Sequence, residues 1–249
     1  MSGVPGAGKS TIAREISRRI EAIVIDNDIC RSIALEYGVE SNTAGQVAYE
    51  TMFALAHSFL TQGFSVILDS PCRFQMILDK GLQIAAETEA AYRCIECVTE
   101  DLAIIRHRLQ RRTPLRSQFT AIDNLPAVVE NGIESLSGEA RFRYWMATMK
   151  RPDRHYLRLD TSQPVEVCIR ESMAFLKACE EPEMPITPIE STDSDRVASE
   201  MTKEEIQATI ERYEQQFNIT SAELVEQIQN GTAPDLFEIM NWYLLLRHQ

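Results

Sequence analysis

The chain has 249 residues, 44% apolar and 25% charged, with ten glycines and ten prolines. This ordinary globular composition excludes a collagenous, coiled-coil or wholly disordered chain. The formal charge of −12, from 25 Lys and Arg against 37 Asp and Glu, is unevenly spread: residues 179–249 hold 15 acids and 4 bases, and residues 1–178 are nearly neutral.

Gly3-Val-Pro-Gly-Ala-Gly8-Lys9-Ser10-Thr11 is followed by an amphipathic helix through about Glu21, with Ile12, Ile16 and Ile20 on one face. Ala22 to Ile25 reads as a buried strand that stops at the polar edge Asp26-Asn27-Asp28. A long helix is predicted over Asn42 to Gln62, capped by Ser41 or Asn42 and stopped by Gly63. Phe64 to Leu68 is a second buried strand, closed by Asp69. A helix over Phe74 to Glu87, a strand over Tyr92 to Val98, a helix over Asp101 to Arg111, a strand over His155 to Leu159 and a helix over Val165 to Ala178 continue the pattern. Strands alternating with helices across short connections predict an α/β protein of three layers around a parallel sheet.

Residues 179–200 are rich in Pro, acids and hydroxyls and read as an acidic linker. Beyond it, Thr202 with Glu205 and Thr220 with Glu223 are capping-box pairs. Ile206, Ile210, Tyr213 and Phe217 follow helical spacing, and Asp235 to Arg247 is apolar enough to dock on these helices. The expected division is therefore a domain over 1–178, a linker over 179–200 and a small helical module over 201–249. No stretch approaches the roughly 18 apolar residues of a membrane-spanning helix, and no secretory signal is evident, so a cytoplasmic protein is expected. Cys30, Cys72, Cys94, Cys97, Cys168 and Cys179 lie in apolar segments and read as reduced thiols. Cys94-x-x-Cys97 has no second pair at metal spacing.

The segment from Gly3 to Ser10 satisfies G-x-x-x-x-G-K-[ST], the phosphate-binding loop, and a helix follows it as the chemistry requires. Its glycines let backbone N–H groups turn toward a phosphate, the helix N-terminus adds partial positive charge, Lys9 reaches the β and γ phosphates, and Ser10 offers a hydroxyl to Mg²⁺. Gly3, Gly6, Ala7, Gly8, Lys9, Ser10 and Thr11 are the expected nucleotide contacts. Such a loop is fed by a buried strand, and only Met1 and Ser2 precede Gly3 here. The expectation is that this first strand lies upstream of Met1, in several further apolar residues.

Asp28-x-x-Arg31 follows the Ala22–Ile25 strand, where an acid and a base enter the ligand crevice of such a sheet, although Asp28 could equally cap the next helix. Asp69, before Ser-Pro, has the place of an acid on the Mg²⁺ side, or of a turn residue. Arg106, Arg108, Arg111, Arg112 and Arg116 put five guanidinium groups in eleven residues with no acid among them. This pattern suggests a lid closing over phosphates, a solvated face or a nucleic-acid patch.

On these motifs, with VILDSP around Asp69 and Tyr156-Leu-Arg-Leu-Asp-Thr-Ser-Gln-Pro164 before the last helix, residues 1–178 resemble the small P-loop kinases. The family is typified by the kinase half of polynucleotide kinases, with zeta-type toxins, chloramphenicol phosphotransferase and gluconate kinase as cousins. The resemblance implies an ATP- and Mg²⁺-dependent kinase that phosphorylates a hydroxyl of a small molecule or of a nucleic-acid 5′ end. It implies Asp28 as general base, Arg31 as substrate ligand, and Arg108, Arg111 or Arg112 as the lid arginine on the transferring phosphoryl. Ser10 and Asp69 would sit on the metal side, and the Thr161–Pro164 turn near adenine. The acidic C-terminal module falls outside the resemblance and could bind the kinase domain or another protein. A second reading is an ATP-binding regulatory or toxin-type protein with that module as partner or inhibitor.

Overall fold

In the computed structural model, residues 1–124, 138–178 and 203–229 are described, together with Trp242 and Leu246. They fall into two compact units, one ending at Ala178 and the other starting at Lys203.

In the first unit the alternation of the sequence is realised closely. The elements are α1 (Lys9–Ile20), β1 (Ile23–Asp26), α2 (Asn27–Glu36), α3 (Ser41–Thr61), β2 (Val66–Asp69), α4 (Gln75–Glu87), β3 (Cys94–Val98), α5 (Leu102–Arg111), α6 (Gly138–Thr148), β4 (Tyr156–Asp160) and α7 (Val165–Ala178). β1 pairs with β2 and β3 with β4, both in parallel, with Asp26 opposite Asp69 and Glu96 opposite Arg158. Met1 and Ser2 lie between the two pairs. The Met1 ammonium donates to Leu68 O at 2.7 Å, Ser2 N donates to Ile95 O at 2.8 Å, and Cys97 N donates to Ser2 O at 2.9 Å. The position of a strand leading into the phosphate loop is thus held by two residues bridging β2 to β3.

Parallel strands need both faces covered because their side chains alternate into two apolar layers. α1 packs on β1, β2 and α7, whereas α3 packs on β1, β2, α2 and α4. The apolar stripe of α1 buries Ile12 and Ile16 into a core with Ile25, Met52, Phe53 and Ile95. Phe119, Phe142 and Trp145 form an aromatic cluster with ring centroids 5.3–6.0 Å apart.

Two caps differ from expectation. The side chain of Glu40, not Ser41 or Asn42, accepts from Asn42 N and Thr43 N at the start of α3. Asp26, not Asp28, caps α2 by accepting from Asp28 N at 3.0 Å. In both cases an earlier acid, one residue before Ser41 and two before Asp28, folds its carboxylate back onto the first free N–H groups.

Glu96 is 1% exposed in the middle of β3. It is satisfied by Arg151, whose Nε and Nη2 donate at 2.7 and 2.9 Å, and by the Tyr156 hydroxyl. The five described cysteines are free thiols. Burial pushes the thiols of Cys72 and Cys97 up to about 12.

The second unit contains α8 (Lys203–Phe217) and α9 (Ser221–Gln229). Ile210, Tyr213, Leu224 and Trp242 form its core. The capping box at α9 is present: Thr220 N donates to Glu223 Oε2 at 2.7 Å, and Glu223 N donates to Thr220 Oγ1 at 3.2 Å. The expected Thr202–Glu205 box, the side chains of Ile206 and Ile228, Cys179, the 179–200 linker and most of Asp235–Arg247 lie outside the described residues. No helix among the described residues is long and apolar enough to cross a membrane.

Candidate active site

The loop between Ser2 and α1 makes a tight turn, with Ala7 N donating to Val4 O at 3.1 Å. Gly3 has φ 129°, and a Cβ there would lie 2.3 Å from Cys97 O, so only glycine lets the loop pass β3 at this point. Gly8, at φ 92°, precedes α1 without capping it through a side chain. The first N–H groups of that helix, from Lys9, Ser10 and Thr11, therefore have no intrahelical partner and face the loop's concavity with the positive end of the helix dipole. Lys9 Nζ folds back to donate to Val4 O at 3.3 Å. An anionic phosphate suits this cradle of donors.

The turn after β4 closes one wall. Thr161 Oγ1 lies 2.7 Å from Ala7 O and 3.0 Å from Val98 O. Arg108, on α5, donates to Gly6 O at 3.5 Å and to both Thr161 Oγ1 and Thr161 O. The structure thus joins the loop to Arg108 and Thr161, which lie 102 and 154 residues along the chain from their partners in it.

The carboxyl ends of β1 and β2 form the opposite wall. Asp26 and Asp69 are register partners, and Asp28 follows within the first turn of α2. Burial, the Asp69 charge and the Asp28 charge push the Asp26 carboxyl up to about 6. Sequence reasoning singled out Asp28 and Asp69 but not Asp26, because the effect arises only when parallel register sets two strand-end acids side by side.

Asp69 is 4% exposed, and its Oδ2 has no hydrogen-bond partner among the described residues. Among the described residues no three His, Cys, Asp or Glu side chains converge as a metal cage. Mg²⁺ beside a nucleotide does not need one, since phosphate oxygens and water complete its octahedron around one or two protein oxygens. The Ser10 hydroxyl and the orphaned Asp69 carboxylate fit that donor set.

The arginines divide into distinct groups. Arg106 is paired with Asp123 at 2.8 Å and Glu139 at 3.0 Å, so it is neutralised by acids outside its own run. Arg111 and Arg116 are exposed. Arg112 is half-buried and donates to Phe119 O, and the charges of Asp28 and Asp26 act on it against the desolvation that lowers its pKa. Arg112 thus lies within reach of the charges of the acidic wall. The expected lid segment from Arg106 to Arg116 lies wholly within the described residues.

Arg31 Nη2 donates to Ser41 Oγ at 3.2 Å, and Arg31 lies against Gly45 on α3. Arg73, just after β2, was not anticipated, since a single arginine in a Pro-Cys-Arg-Phe turn carries no motif. His57 lies 3.8 Å from Glu87, away from these groups.

A glycine-cradled loop entering a helix, set at the carboxyl end of parallel strands, defines a P-loop protein with a kinase-like α/β fold. The chain belongs to the family described as AAA domain, whose model matches residues 1–125. Similar solved structures include a protein of Chloroflexus aurantiacus provisionally assigned as a kinase (14% identity, 70% of this chain and 95% of that one, TM-score 0.52). APS kinase of Mycobacterium tuberculosis, in complex with AMPPNP and APS, is 16% identical over 71% of this chain and 94% of that one, with a TM-score of 0.49. A sugar kinase of Janibacter is 16% identical over 72% of this chain and 92% of that one, with a TM-score of 0.48. At such identities the likeness is one of fold. No curated protein sequence matches the chain.

Proposed function

We propose that the first unit is an ATP-dependent kinase of the polynucleotide-kinase and zeta-toxin type, transferring the γ-phosphate to a hydroxyl of a small molecule or a nucleic-acid 5′ end. The observation that carries this reading is the meeting of phosphate-loop donors with an acidic wall and a half-buried arginine beside it. Phosphoryl transfer asks the protein chiefly for positioning and charge stabilisation, and this crevice supplies both.

In this reading the loop from Gly3 to Thr11 binds ATP, and Lys9 bridges the β and γ phosphates. Asp28 orients the acceptor hydroxyl and takes its proton, and Arg31 holds the acceptor. Arg112 is favoured over Arg111 as the arginine on the transferring phosphoryl, because it is the one beside Asp28. Arg108, tied to Thr161 and Gly6, positions the loop from the side assigned to adenine. Mg²⁺, held by Ser10 and Asp69, would supply charge neutralisation between the phosphates. We assign the chemistry to residues 1–178, with 179–200 a linker and 201–249 a separate module that binds the kinase unit or another protein.

The test is Asp28→Asn, which keeps the shape and removes the base. ATP binding should be retained, and transfer to a hydroxyl acceptor should fall by about 10²-fold or more. Equal transfer by the variant would reject the assignment.

A further inference from the structure

Thr161 stands just past the end of β4, is 3% exposed, and turns its hydroxyl onto the phosphate loop. The single hydroxyl proton has two acceptors in reach, Ala7 O at 2.7 Å and Val98 O at 3.0 Å. Val98 O already accepts Thr161 N at 2.8 Å, and Ala7 O is the nearer, so the proton goes to the loop. Arg108 Nη1 donates to the hydroxyl oxygen at 3.4 Å, and Arg108 Nη2 donates to Thr161 O. Thr161 is therefore held at its N–H, its carbonyl and its hydroxyl.

The consequence for the loop follows from the peptide plane. A trans peptide sends its carbonyl and its N–H to opposite sides, and the described residues contain no cis bond. With Ala7 O turned to Thr161, Gly8 N–H points away from Thr161. The preceding plane is held too, since Ala7 N donates to Val4 O at 3.1 Å and Gly6 O accepts from Arg108 at 3.5 Å. Glycines on both sides of Ala7 leave the Ala7–Gly8 peptide easy to flip, and a flipped peptide would offer a phosphate a carbonyl oxygen in place of an N–H. The orientation needs a restraint from outside the loop, and the Thr161 hydroxyl supplies one.

We infer that Thr161 is a positioning residue for the phosphate loop: its hydroxyl holds the Ala7–Gly8 peptide so that Gly8 N–H is presented to a phosphate oxygen. The ligand group it serves is the polyphosphate, not the adenine expected beside this turn. This rests on the ATP-binding part of the kinase reading and goes beyond it by setting nucleotide affinity in part from the end of β4.

The test uses the full chain labelled with ¹³C-carbonyl alanine and ¹⁵N glycine. Only Ala7–Gly8 and Ala44–Gly45 join these residues in the sequence, so two amide signals report, one of them Gly8. Inorganic tripolyphosphate, which has no adenine, and AMPPNP are each titrated in the presence of Mg²⁺, with affinities from calorimetry. In the wild type and in Thr161→Ser, which keeps the hydroxyl, both ligands should move the Gly8 amide proton downfield as it bonds to an anion. Thr161→Val, equal in shape but without the donor, should lose that shift and bind both ligands about fivefold or more weakly. If Thr161→Val fails to fold, Thr161→Ala removes the same donor and is expected to give the same result. Weaker AMPPNP binding with tripolyphosphate unaffected would show an adenine contact and overturn the inference. So would affinities that fall while the Gly8 shift persists, affinities that Thr161→Val leaves intact, or a loss that Thr161→Ser shares. Wild type that binds neither ligand would overturn the nucleotide reading and this inference together, whereas binding without transfer rejects the kinase reading alone.

Discussion

Gln118 Nε2 donates to Asp28 Oδ2 at 2.8 Å, while the neighbouring Ser117 Oγ donates to Asp28 O at 3.1 Å. The loop after α5 therefore holds the proposed base by both its carboxylate and its backbone. One carboxylate oxygen is fixed and the other is left to meet a hydroxyl. Gln118→Ala should lower kcat/KM about three- to tenfold through lost orientation, and should add nothing in an Asp28→Asn background. A double-mutant cycle on transfer rates checks this, and additive losses would separate the two residues.

Lys9 makes its side-chain hydrogen bond to a loop carbonyl, Val4 O, on a half-buried surface. Lys9→Ala should change unfolding free energy by no more than about 1 kcal/mol. It should weaken ATP binding about tenfold or more, because a charged ligand to phosphate is lost. Calorimetric titration beside a urea melt separates the two effects.

The raised Asp26 pKa sets a pH dependence of stability. An acid whose folded pKa exceeds its unfolded value stabilises the fold fully below the unfolded value, and that contribution is lost as pH rises through the folded value, here about 6. Asp26→Asn keeps an acceptor for Asp28 N and removes the charge. Without Mg²⁺ it should stabilise the protein by on the order of 2 kcal/mol at pH 7.5 and by almost nothing at pH 4. Denaturant melts at the two pH values test the sign, and equal stabilities at pH 7.5 would contradict it.

Glu96 and Arg151 tie β3 to the end of α6, away from the acidic wall. Arg151→Met should destabilise the first unit by about 3 kcal/mol or more, because it leaves a buried carboxylate with only Tyr156 as partner. Arg151→Met with Glu96→Gln should recover part of that loss. Thermal melts of the two variants decide the point, and a single substitution without cost would show the pair to be dispensable.

The phosphate loop was legible because its glycines, lysine and hydroxyl serve one ligand within eight consecutive residues. Asp69 was legible because an apolar run stops at it, and Asp28 because the D-x-x-R pattern follows such a run. Relations set by register or by distant packing were not. Asp26 beside Asp69 depends on how β1 aligns with β2, and Thr161 reaches Ala7 only because β4 lies beside β3. Arg106 looked like one of five free cations until Asp123 and Glu139 folded back onto it. Glu96 sat in an apolar strand as an apparent exception, and its partner Arg151 lies 55 residues away.

The central claim is tested most directly by following the γ-phosphate of labelled ATP in the presence of Mg²⁺. The acceptors are a 5′-hydroxyl oligonucleotide and, in parallel, a pool of small hydroxylated metabolites, with wild type and Asp28→Asn compared. The kinase account predicts label on one acceptor class with the wild type and its loss in the variant, while ATP binding persists in both. ATP bound by both proteins with no label transferred by either would contradict it and turn attention to nucleotide binding as a regulatory signal.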